Sequence, residues 1–474
     1  MKTKFTRVIS VLLVLVIFSS LTAIPSAAAY FTMSQDEWNT YWDSYIADGG
    51  AVCLSPGSDE SGMGFAWMGK EECEPFVSVK QAGTDDEYFY VGECVKVDSE
   101  TYSYHAFCSN LEPDTSYEYS CFSGDYRYDG TFKTAAAGDF TALFVTDIHV
   151  TYEEEIPNNL RDVAGHVNDV FAKAYDKNNA LSLILASGDE ATRGRLDEYV
   201  GAFASPLVKS VPFATVCGNH DYKDIIYPDV VNYPNKFNDE AITSDRNGGD
   251  YWFVKGDVLF LMMNTNWVSS EDHHTFIKKA VEANPDVKWR VAVMHHDLYG
   301  GHLENREDEN KLLRIMFPPM FDEFKIDLVL MGHSHIYSRS HVIYGNHIAK
   351  DLTNAPDVTD ANGTIYLTSG SASRNRGEIL EGSDKVAFDV KDADANFFTL
   401  IDFKEDSIKI NAYTYENAEL IDTFTINKTT QDGGHIEESH MGSDFVNFIA
   451  VLVAIFNKIS FIVERLFASV GIEL

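Results

Sequence analysis

Asp147, His149, Asp189, Asn219, His220, Asp221, His295, His296, His333 and His335 are the residues of this chain whose types and spacing can do chemistry. They fall in five clusters, and each follows a short apolar run. Phe140–Val145 leads into Asp147-Ile148-His149, Leu181–Ala186 into Gly188-Asp189, and Val211–Val216 into Gly218-Asn219-His220-Asp221. Trp289–Val293 leads into His295-His296, and Ile326–Leu330 into Gly332-His333-Ser334-His335. A short apolar run bounded by turn residues reads as a buried strand. Functional groups in open α/β sheets collect just beyond the carboxyl ends of such strands. Five distant segments should therefore deliver Asp, Asn and His side chains to one patch, and that mix of oxygen and nitrogen donors is a metal site.

Asp147, His149, Asp189, Asn219, His295, His333 and His335 are too many ligands for one ion that must also hold water or substrate. They suit two ions sharing a carboxylate, with Asp189 as the bridge. Asp147, His149 and His335 complete one site; Asn219, His295 and His333 complete the other. Side chains two apart in extended chain point the same way, so His333 and His335 can serve one ion each. Two ions held ~3.5–4 Å apart clamp both oxygens of an in-line displacement and generate hydroxide near neutral pH.

Elements must carry these residues, and the 474-residue chain has room for two or three domains. Residues 1–29 read as a signal peptide: Lys2, Lys4 and Arg7, then the apolar Val8–Phe18, then Ala27-Ala28-Ala29. The mature protein is expected to be secreted or held at the cell surface. Residues 30–50 form a short lead-in helix with Trp38, Tyr41, Trp42 and Tyr45 at helical spacing, which marks packing. Residues 51–135 alternate short strand-like stretches with turn clusters, the pattern of a β-sandwich. Five of the six cysteines lie in the N-terminal third, an odd number that leaves at least one without a local partner; Cys217 reads as a buried strand residue.

Residues 139–428 hold all five clusters. Asn159–Asn179 carries a helical apolar stripe between two strands, a βαβ unit. Lys311–Phe324 reads as another helix, Gly363–Ser369, Phe397–Phe403 and Ser407–Tyr413 as strands, and Gly377–Ala395 as a surface insertion. Residues 429–443 read as a linker. Residues 444–474 read as an amphipathic helix with Lys458 near its middle, suited to a membrane surface or a protein partner rather than to spanning. The net charge of −36 argues against nucleic acid as a partner and means that an anionic substrate needs local positive charge.

Asp-x-His, Gly-Asp, Gly-Asn-His-Asp, His-His after a strand and Gly-His-x-His together resemble the calcineurin-like metallophosphoesterase superfamily. Leu111–Tyr119 resembles the tyrosine corner of fibronectin type III-like domains. With the stretch Ile326–Arg339, the architecture is similar to that of purple acid phosphatases. The resemblance implies two mixed β-sheets sandwiched by helices, preceded by an all-β fibronectin-like sandwich, rather than the single doubly wound sheet that the pattern alone suggests. It implies a phosphorylated small-molecule substrate, hydrolysed by a metal-bridging hydroxide. It makes His220 a non-ligating residue that faces the phosphate, with Asp221 orienting it, and puts His302 at a substrate-contact position. His296 and Arg339 are further candidate substrate contacts; the alternatives are that His296 supports the ligand His295 and that Arg339 positions a neighbour or pairs with an acid. Two departures stand out. The purple enzymes have Gly where His149 stands, and an iron-binding Tyr where Thr192 stands. A colourless enzyme is expected, with His149 replacing the Tyr and with Mn, Fe or Zn as the two divalent ions. Phosphomonoesters are the leading substrate class. Phosphodiesters or cyclic nucleotides are the alternative, and a non-catalytic surface-binding protein is the rival from a different class.

Overall fold

The computed structural model describes residues 32–151, 159–221, 249–266, 269–299, 307–373, 388–392 and 395–430. The signal peptide, the linker from residue 431 and the C-terminal amphipathic segment lie outside the described residues, as does most of Tyr222–Gly249. No helix among the described residues is long and apolar enough to cross a membrane.

The lead-in helix α1 spans Gln35–Asp48. Ser34 caps it with Glu37 in a reciprocal capping box, and Gly49 ends it in the left-handed conformation. Its aromatic stripe faces inward. Trp38 donates to the Arg161 carbonyl at 2.9 Å, Tyr41 to Ala204 at 2.7 Å and Tyr45 to Val200 at 2.6 Å. The expected packing role is therefore the observed one, and the helix ties the N-terminal region to the site-bearing region.

Eight strands follow. One sheet has β1 (Cys53–Pro56), β2 (Met63–Gly69), β6 (Tyr102–Cys108) and β5 (Glu93–Lys96) in that order; the other has β4 (Glu87–Val91), β3 (Phe76–Gln81), β7 (Ser116–Ser123) and β8 (Tyr126–Lys133). Their inner faces share one core that includes Phe65, Trp67, Val77, Tyr104, Tyr119 and Phe132. Strands β4 and β5 are separate elements because the chain changes sheet at Gly92. The tyrosine corner is present: the Glu112 backbone N–H donates to the Tyr117 hydroxyl at 2.8 Å. All six cysteines are unbridged.

Two seven-stranded mixed sheets form the rest. The first runs β11 (Phe213–Thr215), β10 (Leu181–Ala186), β9 (Phe140–Val145), β22 (Phe397–Phe403), β23 (Ser407–Thr414), β24 (Leu420–Asn427) and β19 (Asp357–Thr359). The second runs β12 (Tyr251–Lys255), β13 (Val258–Met263), β14 (Trp289–Met294), β15 (Leu328–Met331), β20 (Ile365–Thr368), β16 (Tyr337–Ser340) and β21 (Phe388–Asp392). A hairpin of β17 (Val342–Tyr344) and β18 (His347–Lys350) forms its own two-stranded sheet, bridged to Thr364 just before β20 through Ile343. Alternation along the strands sets the layers. Phe260, Met262, Val291, Val293, Leu328 and Leu330 pack inward in the same core as Phe144, Leu185 and Ile401 of the first sheet. Leu259, Leu261, Ala292, Met294 and Val329 pack outward, with residues of α4 (Ser270–Ala283) and α5 (Glu307–Glu323). Helices α2 (Asn159–Lys177) and α3 (Leu196–Ala202) are the remaining α-helices among the described residues. The single doubly wound sheet suggested by pattern alone gives way to the two-sheet arrangement. Part of Gly377–Ala395 is also corrected: Phe388–Asp392 is an edge strand paired with β16 rather than a surface insertion.

Candidate metal centre

Strands β9, β10 and β11 are mutually parallel, as are β13, β14 and β15. Parallel strands end on the same side, so their following loops meet. The backbone there is bent hard. Asp147, His149, Asp189, His333 and His335 all have φ between 48° and 71°, the left-handed region that side chains other than glycine avoid. Each such residue costs of order 1–3 kcal/mol and persists only where its surroundings over-determine it. Two glycines are required by close approach. A Cβ on Gly218 would lie 2.1 Å from Asp189 Oδ1, and one on Gly332 would lie 1.9 Å from Thr146 Oγ1.

The structure brings all seven expected ligand residues to one place. Asp147 Oδ2 accepts from Thr146 Oγ1 and from the His333 backbone N–H, both at 2.8 Å. This turns Oδ1 toward His335 Nε2 at 3.1 Å and His149 Nε2 at 3.7 Å. Asp189 Oδ1 accepts from the His220 N–H at 2.8 Å, and Oδ2 sits between His149 Nε2 at 3.6 Å and His295 Nε2 at 3.4 Å. Asp189 therefore stands between the two groups of ligands, where a shared carboxylate belongs. His149 Nε2 is 3.0 Å from His335 Nε2.

On the other side, His295 gives its Nδ1 proton to the Ser187 carbonyl at 2.8 Å, so Nε2 presents a lone pair. Facing it are Asn219 Oδ1 at 3.0 Å and His333 Nδ1 at 3.1 Å. Basic atoms this close repel unless a cation or proton lies among them. Asp147 Oδ1 makes the same point, since it is buried and receives no hydrogen bond. Three of the candidate metal-holding groups among the described residues are Asp147–His149–His335, His149–Asp189–His220 and Asp147–Asp189–His295. The donor set fits two divalent ions.

The electrostatics agree. Burial opposes charge on His295, but the Asp189 and Asp147 carboxylates outweigh it and push the imidazole up to about 9. Burial likewise works against the Asp189 anion, yet His295 and His149 hold it down to about 2. The field at this point favours positive charge, which a metal ion supplies more fully than a proton.

His220 lies beside this cluster, its ring 4.8 Å from that of His149 and perpendicular to it. Its Nδ1 is held by the Thr192 carbonyl at 2.7 Å, and the Thr192 hydroxyl donates to the His149 carbonyl at 3.2 Å. Thr192, read only as the missing Tyr, thus links two functional loops. Asp221, expected to orient the His220 ring, does something else. Its fully buried carboxylate accepts from the backbone N–H groups of Asp189 at 2.7 Å, Gly218 at 2.9 Å and Ala191 at 3.0 Å, and from the Tyr199 hydroxyl at 3.1 Å. It clasps the two loops that carry Asp189 and Asn219. Thr146, Ser187 and Thr192 had no separate sequence signal, because they act through backbone carbonyls or through a neighbouring carboxylate.

The expected substrate contacts fare differently. His296 is buried, its Nδ1 2.7 Å from Thr265 Oγ1 and its ring 4.7 Å from that of His333. Arg339, only 1% exposed, is no substrate contact; it pairs with an acid, the other role open to it in the sequence. Its Nε and Nη2 donate to the two Asp422 oxygens at 2.7 and 3.2 Å, and its guanidinium lies 4.0 Å over the Phe424 ring. Buried inside the fold against Asp422 and Phe424, it is a packing cation. His302 lies outside the described residues.

Comparison with known proteins gives a consistent result. Residues 140–337 match the family model described as calcineurin-like phosphoesterase. The chain is 24% identical over 302 residues to purple acid phosphatase 1 of Ipomoea batatas, covering 59% of this chain and 60% of that protein. It is 24% identical over 304 residues to the phosphoenolpyruvate phosphatase of Allium cepa, covering 58% of each. The matches thus span about three fifths of the length of these relatives. The purple acid phosphatase PPD1 from yellow lupin seeds superposes with a TM-score of 0.69 at 16% identity, covering 82% of this chain and 77% of that one, which shows a shared fold.

Proposed function

From a calcineurin-like phosphoesterase domain homologous to purple acid phosphatases, preceded by an N-terminal β-sandwich, we propose that this chain is an exported, metal-dependent phosphoric ester hydrolase acting on phosphomonoesters. The observation that carries the reading is the convergence of basic oxygen and nitrogen atoms around Asp189. We assign Asp147, His149, Asp189 and His335 to one ion and Asp189, Asn219, His295 and His333 to the other, with Mn, Fe and Zn all compatible.

Two such ions would neutralise the phosphate and lower the pKa of water in the site. The protein's own residues do the rest. Thr146 and the His333 amide aim Asp147, Ser187 fixes the His295 tautomer, and Asp221 holds the loops in register. His220, oriented through Nδ1 by Thr192, gives a proton to the departing alcohol oxygen.

Phosphate release from p-nitrophenyl phosphate and from its bis-ester, with each metal supplied in turn, tests this. Faster monoester turnover is expected. No release from either ester with any metal would leave only a binding role. A second reading, phosphodiester hydrolysis, is favoured by the Asp147-Ile148-His149 pattern, which resembles that of diesterases in the superfamily; faster bis-ester turnover would select it. The leader pattern of residues 1–29 supports export, and residues 444–474 are proposed to contact a membrane surface or a protein.

A further inference from the structure

We propose that Asn266 is a positioning residue for the Asn219 half of the metal centre, which makes the Asn264-Thr265-Asn266 turn a sixth arm of the site. The inference rests on the two-cation reading above. Strand β13 is buried along its whole length, runs parallel to β14, and ends on this turn beside the loop that delivers His295. The two N–H bonds of Asn266 Nδ2 are shared among Asn264 Oδ1 and the carbonyls of Cys217 at 2.9 Å and Gly218 at 3.2 Å, the two residues just before Asn219.

Gly218 needs that hold. It has no side chain to restrict it, and it can have none, because a Cβ would strike Asp189. The chain on either side of Gly218 is instead gripped by hydrogen bonds. Its N–H donates to Asp221 Oδ2 at 2.9 Å, and its carbonyl accepts from Asn266. Fixing the peptide planes on both sides of Gly218 fixes where Asn219 begins, and Asn219 Oδ1 lies 3.0 Å from His295 Nε2.

The turn is itself anchored. Asn264 Oδ1 accepts from Asn266 Nδ2 at 2.9 Å and from the Asn266 N–H at 3.1 Å. The Asn264 N–H donates to Asp250 Oδ1 at 2.8 Å, and Asp250 Oδ2 pairs with His273 Nδ1 of α4 at 2.5 Å. None of the contacts named here is made by Asp147, His149 or His335. Loss of the Asn266 amide should therefore loosen one half of the centre and spare the other.

Calorimetric titration of Mn²⁺ into the chelator-stripped full chain reads this directly. Wild type is expected to show two binding events. In Asn266→Ala, and in the near-isosteric Asn266→Asp, one event should weaken about 10–100-fold while the other is unchanged. Two unchanged events in the Asn266 variants overturn the proposal. So does equal weakening of both events together with a lower melting temperature, since that marks general support of the fold. A wild-type chain that takes up no second ion overturns the two-cation reading and this inference together.

Discussion

His220 and Arg339 are both cation-forming residues near a phosphate-binding reading, and they should fail in opposite ways. His220 is held by Thr192 beside the ligand cluster without being needed to complete either proposed ion site. His220→Ala is expected to keep full metal content and lose about 10²–10⁴-fold in turnover, the usual worth of a positioned acid. Wild-type turnover would remove His220 from the proton transfer, and lost metal would make it a ligand. Arg339 is buried against Asp422. Arg339→Ala leaves that carboxylate buried without its partner, a loss of about 3–5 kcal/mol. Urea denaturation should show this loss, with KM for the monoester unchanged; a raised KM at unchanged stability would restore the substrate contact.

At the scale of elements, α1 joins the two regions of the chain, and Lys209 sits at the seam. Its ammonium donates to the Tyr41 hydroxyl and lies 4.3 Å from the Tyr45 ring centroid, while its carbonyl accepts from Tyr119 of β7 at 2.8 Å. Burial pushes the amine down to about 7, although Asp48 and Cys53 pull the other way. The unfolded chain therefore binds the extra proton between about pH 7 and the ordinary lysine value near 10.4, so stability rises with pH across that window. Below pH 7 both states are protonated and the folded state carries the full burial penalty. The melting temperature of wild type relative to Lys209→Met should accordingly climb from pH 6.5 to pH 9. A difference that stays flat over this range contradicts the assignment. Such seams are only half legible in a sequence. The spacing of Trp38, Tyr41, Trp42 and Tyr45 announces a packed helix face, but nothing in it says which backbone carbonyls the rings will reach.

For the whole molecule, the strand ends were legible because each apolar run stops at residues that can bind metal, and parallel strands must deliver such residues to one edge. The same logic applied to Val258–Met263 would have exposed Asn264-Thr265-Asn266, a polar cluster of amides and a hydroxyl rather than His and Asp. What stayed hidden depends on partners with no sequence signature. Asp221 answers to three backbone amides and one tyrosine. Arg339 finds Asp422 from 83 residues away. Gly92, where the chain changes sheets, looks like any strand glycine. A net charge of −36 makes the proposed cations matter globally as well, since the chain as a whole repels an anionic ester. The most direct test is the metal-to-protein ratio of wild type and Asp189→Ala after saturation with Mn²⁺ or Zn²⁺ and removal of free ions. The account predicts two ions per chain in wild type and essentially none in the variant. A wild type that retains no ions, or an Asp189→Ala chain that still holds two, would contradict it.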